Sequence, residues 1–160
     1  MCRQTSGVVD LAGGNDDPRE AGIYNVLVIE SAPYGIRPAR KRDLPHLAAI
    51  EDSGLLLFES VFGDLAGDPL AAPAESGDER AAQPGLLVVA ELAADGVLVG
   101  FAHVQFLNGH AHLDQLSVQF DHMRQGIGSA LIGALCDALS ARGYGSVTLL
   151  TYADLPWNAP

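Results

Sequence analysis

Apolar residues recur at Ile127, Leu131, Leu135, Ala138 and Leu139, the three- and four-residue spacing of one buried helical face. Arg142 closes that run and Gly143 stands where a glycine relieves the left-handed residue after a helix. The segment after it, Ser146 to Tyr152, is rich in β-branched and apolar side chains and predicts a strand. Upstream, Leu86 to Leu92, Val97 to Phe106 and His110 to Val118 predict three more strands, with Asp95-Gly96 and Asn108-Gly109 as tight hairpin turns. These form an antiparallel meander. The helix then reverses the chain and brings Ser146 to Tyr152 parallel to the third meander strand by a right-handed crossover. The expected fold class is α/β, a mixed twisted sheet with helices on its faces.

The first part of the chain is patterned less regularly. Ile36 to Ala39 predicts a short strand. Asp43, with Pro45 in the first turn, opens a helix whose apolar face holds Leu44, Leu47, Ala48 and Ile50. Leu55 to Phe58 with Val61 and Phe62 predicts a second helical stretch, and Gly63 to Pro84, rich in Gly, Pro, Ala and acid, reads as a long loop. Residues 1 to 35 carry no sustained period beyond Val26 to Ile29 and read as a flexible extension of a domain spanning 36 to 160.

Chemistry enters at the junction of the third meander strand and the long helix. Met123-Arg124-Gln125-Gly126-Ile127-Gly128-Ser129-Ala130 places two glycines just before the helix, so the backbone can turn sharply and come close to a ligand. A helix start offers free N–H groups and a positive dipole end, which suit a phosphate. No Gly-Lys-Ser/Thr triplet occurs, which excludes a P-loop. The dinucleotide pattern G-x-G-x-x-G is incomplete, because its third glycine position is Leu131. The loop also comes too late in the chain to be followed by the strands and helices of a dinucleotide fold.

Leu116-x-Val118, a short turn and then Gly126-Ile127-Gly128-Ser129-Ala130-Leu131 resemble the acetyl-CoA motif of the GCN5-related N-acetyltransferases (GNAT), written Q/R-x-x-G-x-G/A. Its first position is Met123 here, which removes a polar side chain and spares the backbone amides; Arg124 follows at once. The resemblance runs from about Ile36 to the C-terminus. It implies acetyl-CoA as co-substrate, with the pantetheine arm along Leu116, Ser117 and Val118. The pyrophosphate would lie on the amides of Arg124, Gln125, Gly126, Ile127, Gly128 and Ser129, beside Met123. It further implies an amine that attacks the thioester directly, with a backbone N–H near Leu116 or Ser117 for the oxyanion.

For the base, the resemblance points to Asp114, two residues before Leu116; His112, one strand repeat earlier on the same face, is the alternative as a proton relay. An ordinary aspartate, with a pKa of about 3.9, must be raised by burial or act through water. His110, His112 and Asp114 alternate along one strand and allow a rival reading as metal ligands with His103, but no metal is expected.

Composition narrows the setting. The 160 residues suit one domain, and 48% apolar residues supply a core. The net charge is −11, with 20 acidic and 9 basic residues, and beyond residue 80 only Arg124 and Arg142 are basic, so no nucleic-acid partner is expected. Cys2 and Cys136 imply neither a disulfide framework nor a zinc site. No apolar run approaches a membrane span and no secretory signal is visible, so the expected compartment is the cytoplasm.

Family members continue from a segment like Leu155 to Pro160 into a further helix and strand. The resemblance therefore implies a C-terminally shortened domain, with Asn158 near the cofactor and no tyrosine after Tyr152 to protonate the leaving thiolate. The edge of Ser146 to Tyr152 is expected to be open and to call for a homodimer, a swapped segment or marginal stability. Two functions follow: an N-acetyltransferase for a small-molecule or protein amine, or a silent member that binds acyl-CoA or acts only in assembly.

Overall fold

The computed structural model describes residues 4–10, 33–65 and 72–152. In chain order these are β1 (Gln4–Asp10), β2 (Tyr34–Pro38), α1 (Leu44–Ser53), α2 (Leu55–Phe62), α3 (Gly77–Ala82), β3 (Gly85–Leu92), β4 (Leu98–Leu107), β5 (His110–Val118), a 3-10 turn at Phe120–His122, α4 (Ile127–Ser140) and β6 (Ser146–Tyr152). Six strands form one sheet in the order β1-β6-β5-β4-β3-β2. Every neighbouring pair is antiparallel except β5 and β6. The meander and the single parallel crossover are those expected from the turn residues: Asn108 and Gly109 both take positive φ, as a two-residue hairpin turn of this hand requires.

Two cores sandwich the sheet. On one face α4 buries Ile127, Leu131, Leu135 and Leu139 against Val88, Ala90, Ala102, Val104, Ala111 and Val147. On the other, Leu44, Leu47 and Ile50 of α1 cover Val89 and Phe101. Each fully buried aliphatic side chain contributes about 1.5–3 kcal/mol. Four of them on α4 far outweigh the roughly 1 kcal/mol an N-cap side chain would add, so this helix can begin on a bare glycine. At its other end Gly143 takes φ +82°, and the amide of Tyr144 reaches back to the Leu139 carbonyl at 3.1 Å.

Three elements depart from the sequence reading. Gly77–Ala82 forms α3 inside the stretch read as loop; six residues are too few to show a period, but Ser76 and Glu79 make a reciprocal capping box. Asp43 precedes α1 without capping it. Its buried carboxylate instead accepts from Arg37 at 2.6 and 3.1 Å and from the Arg40 amide at 2.6 Å, which holds it below the usual carboxylate range. Within the expected extension, Gln4–Asp10 pairs with all of β6 from Gln4 opposite Tyr152 to Asp10 opposite Ser146, so the edge expected to be open carries a strand. Nothing local in Gln-Thr-Ser-Gly-Val-Val-Asp announces it, because its order comes from the partner's backbone. Val26 to Ile29 and Asn158 lie outside the described residues. Among the described residues, no helix is long and apolar enough to cross a membrane.

Candidate functional site

β5 and β6 pair only over Ala111 to Leu113 with Val147 to Leu149. Beyond Leu113 they part, and a cleft of about 560 Å³ opens between them, walled by Leu113 to Val118, Met123, Ile132 and Leu149 to Thr151 on one side and by Ile50 to Asp52 and the start of α2 on the other. The parting coincides with an irregularity in β5. His103 of β4 pairs with Gln115 and Val104 with Leu113, which leaves Asp114 as the extra residue of a bulge. Side-chain parity switches there: Ala111 and Leu113 before it, and Leu116 and Val118 after it, all join the α4-side core.

The loop into α4 follows directly on Met123, which lines this cleft. Gly126 is the residue before the helix and takes φ +80° and ψ 0°, while Arg124 holds φ +62°. Among the described residues no side chain caps α4, and no acidic residue occupies its first turn. Arg124, Gln125, Gly126 and Ser129 are exposed and Ile127 is buried, so the loop turns its backbone to the surface while anchoring itself by one apolar side chain. Tyr34 lies beside it, its hydroxyl donating to the Gln125 carbonyl at 3.5 Å. A helix start of this kind presents free N–H groups and the positive end of the helix dipole.

A charged cluster borders the cleft, which Glu51 and Asp114 help to line. Arg80 of α3, only 4% exposed, donates to Asp114 at 2.9 Å and to Glu51 of α1 at 2.7 Å, with Glu75 at 3.6 Å. Its guanidinium carbon lies 5.5 Å from the ring centroid of Phe101, a favourable cation–π distance. His103 Nδ1 also meets Asp114 at 3.1 Å. These contacts separate the two carboxylates. The hydrogen bond from His103, followed by the charges of His103 and Arg80, holds Asp114 below the usual carboxylate range, against the opposing effect of burial. Burial pushes Glu51 up, with Asp52, Asp114 and Glu75 adding repulsion that the charge of Arg80 only partly offsets.

A family model described as Acetyltransferase (GNAT) family matches residues 56–158. The chain belongs to that family. It is 41% identical over 87 residues to the mycothiol acetyltransferase of Clavibacter michiganensis subsp. michiganensis (strain NCPPB 382), a match covering 52% of this chain and 27% of that protein. The chain thus spans about a quarter of the length of this curated relative. Among solved structures it is similar to the ribosomal-protein-S18-alanine N-acetyltransferase of Escherichia coli, at 25% identity and TM-score 0.56, covering 77% of this chain and 70% of that one. It shares its fold with a GNAT family acetyltransferase from Brucella melitensis in complex with acetyl-CoA, at 21% identity and TM-score 0.56, over 77% and 79% of the two chains.

Within this GNAT domain the expected site residues divide into groups. Leu116, Ser117, Val118 and Met123 line the cleft, whereas Arg124 to Ser129, the loop and first helical turn that follow Met123, are not among its lining residues. Asp114 lines the cleft too. His112 is outside the described lining and meets Thr148 Oγ1 at 2.9 Å through Nδ1, while that hydroxyl lies 3.3 Å from the Ala111 carbonyl. Among the described residues no three His, Cys, Asp or Glu side chains gather as a metal site; His103 is committed to Asp114 and His112 to Thr148. Glu51, Glu75 and Arg80 escape a reading by motif. The one signal for Arg80 is the Ser76-x-x-Glu79 capping box, which marks the helix that carries it.

Proposed function

We propose that this GNAT domain is an N-acetyltransferase that uses acetyl-CoA and passes the acetyl group to a primary amine, of a small molecule or of a protein, by direct attack. The observation that carries the reading is the parting of β5 from β6 beside an uncapped helix start with a left-handed glycine. A parted strand leaves a backbone edge on which a pantetheine arm can pair as an added strand. The residues present fit such a co-substrate: Leu116 to Val118 would hold the arm, and the amides from Arg124 to Ser129 would hold the pyrophosphate. Met123, which also walls the cleft, would give apolar contact where the family motif has a polar side chain.

Acetyl-CoA supplies an acetyl group already activated as a thioester. The chain's own contribution is then positioning, a donor for the developing oxyanion near Leu116 or Ser117, and a carboxylate of the charged cluster to receive the amine's proton.

Calorimetry with acetyl-CoA tests the reading, with Gly126→Asp and Gly128→Asp placing carboxylates where the pyrophosphate would lie. Binding to the parent and loss in both variants is expected, followed by thiol release on addition of primary amines. Binding without thiol release from any amine would favour a silent acyl-CoA binder. No binding by the parent would overturn the reading.

A further inference from the structure

Three carboxylates line the cleft, Glu51, Asp52 and Asp114, and Arg80 ties two of them together. Their surroundings differ in a way that decides which can act as a base. Asp114 Oδ2 receives two strong donors, Arg80 at 2.9 Å and His103 at 3.1 Å. Glu51 receives one donor, Arg80 at 2.7 Å on Oε2, and among the described residues its Oε1 has no hydrogen-bond partner. Each charge-assisted donor stabilises the ionised form and weakens the oxygen as a base.

The electrostatic neighbours point the same way. Facing Glu51 are Asp52 on its own helix, Glu75 and Arg80 from the segment around α3, and Asp114 from β5. Three acids and one shared cation leave Glu51 short of compensation, whereas Asp114 has Arg80, His103 and His112 on its side. Two carboxylates whose environments drive them apart are the usual mark of divided roles.

We infer that Glu51 takes the proton from the acceptor ammonium, and that Asp114 is a positioning residue that holds Arg80 and His103. The inference rests on the N-acetyltransferase reading. One ammonium N–H bond breaks and its proton goes to Glu51 Oε1, giving a neutral carboxylic acid and a free amine lone pair. That pair forms the C–N bond as the C–S bond breaks. The second N–H proton passes through water to the thiolate, and Glu51 returns its proton to solvent. Arg80 keeps Glu51 at the cleft wall by a contact to Oε2, which leaves Oε1 for the amine.

The test uses the full chain, the variants Glu51→Gln, Glu51→Asp and Asp114→Asn, and 2-aminoethanol and spermidine as probe amines. Glu51→Gln is expected to bind acetyl-CoA within about twofold of the parent and to lose CoA release by ~10²–10³-fold, the range of a general base. It should also lose the acidic limb of the kcat profile, which Glu51→Asp partly restores and Asp114→Asn retains. Parent-like turnover in Glu51→Gln, or an acidic limb that survives there and vanishes in Asp114→Asn, would overturn the inference while leaving the transferase reading intact. Binding of acetyl-CoA by the parent without CoA release from any primary amine would leave the silent binder and remove this inference together with the transferase reading. Failure of the parent to bind acetyl-CoA would remove the transferase reading and this inference together.

Discussion

Gly77 lies against the backbone of Leu44 so closely that a Cβ on it would stand 2.3 Å from the Leu44 carbonyl oxygen and 2.7 Å from the Leu44 Cα. This contact seats the start of α3 on the start of α1, and three residues later α3 delivers Arg80 into the charged cluster. Because the obstacle is backbone on both sides, neither partner can turn away. Gly77→Ala is expected to cost about 2–3 kcal/mol, at the upper end of overpacking effects. It should also weaken the hold on Glu51. Denaturant unfolding checks the first effect and the acidic limb of the kcat profile the second.

Arg80 is the shared cation of Glu51 and Asp114, so its loss leaves two partly buried carboxylates facing each other. Arg80→Met keeps much of the apolar stem. Removing one member of a fully buried pair costs about 3–5 kcal/mol; here the carboxylates reach solvent in part, so a loss on the order of 2–3 kcal/mol is expected. Arg80→Lys should recover little, since an ammonium cannot reach two carboxylates and stack on Phe101 in one geometry. Thermal unfolding of both variants at neutral pH is the measurement.

The two glycines of the loop separate by backbone geometry. Gly126 sits at φ +80°, where a side chain costs about 1–2 kcal/mol. Gly128 lies inside the first helical turn, and among the described residues a Cβ there would meet only Val118 Cγ2 at 3.9 Å, an ordinary contact. Gly126→Ala is expected to destabilise the fold and weaken acetyl-CoA binding, whereas Gly128→Ala should raise stability by about 0.5–1 kcal/mol. Unfolding and calorimetry on the same two variants distinguish backbone strain from loss of phosphate contact.

The two carboxylates predict opposite pH dependences. Asp114 is depressed in the fold, so its contribution is complete above its unfolded pKa of about 3.9 and disappears as pH falls through the lower folded value. The stability gap between parent and Asp114→Asn should be constant from about pH 5 upward and shrink below about pH 4. Glu51 is raised, so its contribution is complete below its unfolded pKa of about 4.3 and is lost as pH rises through the folded value. Glu51→Gln is therefore expected to melt at or above the parent temperature at neutral pH, while turning over far more slowly. A lower melting temperature there would contradict the account of burial at this site.

The sequence alone determined the elements whose signals are local. Ile127 to Leu139 repeat with the helical period, Gly126 and Gly143 bracket that helix, and Asp95-Gly96 and Asn108-Gly109 turn the meander, all through contacts within a few residues. Those signals were enough to read the crossover, the family and the glycine loop. Tertiary structure alone decided the rest. The bulge at Asp114 exists only in the register between β4 and β5, and β1 has order only against β6. Arg80 meets Asp114 across 34 positions and Glu51 across 29, from three different elements. No period or spacing encodes such a meeting, because burial and charge at a position depend on what the folded chain brings beside it, and that is a property of the packed sheet and helices together.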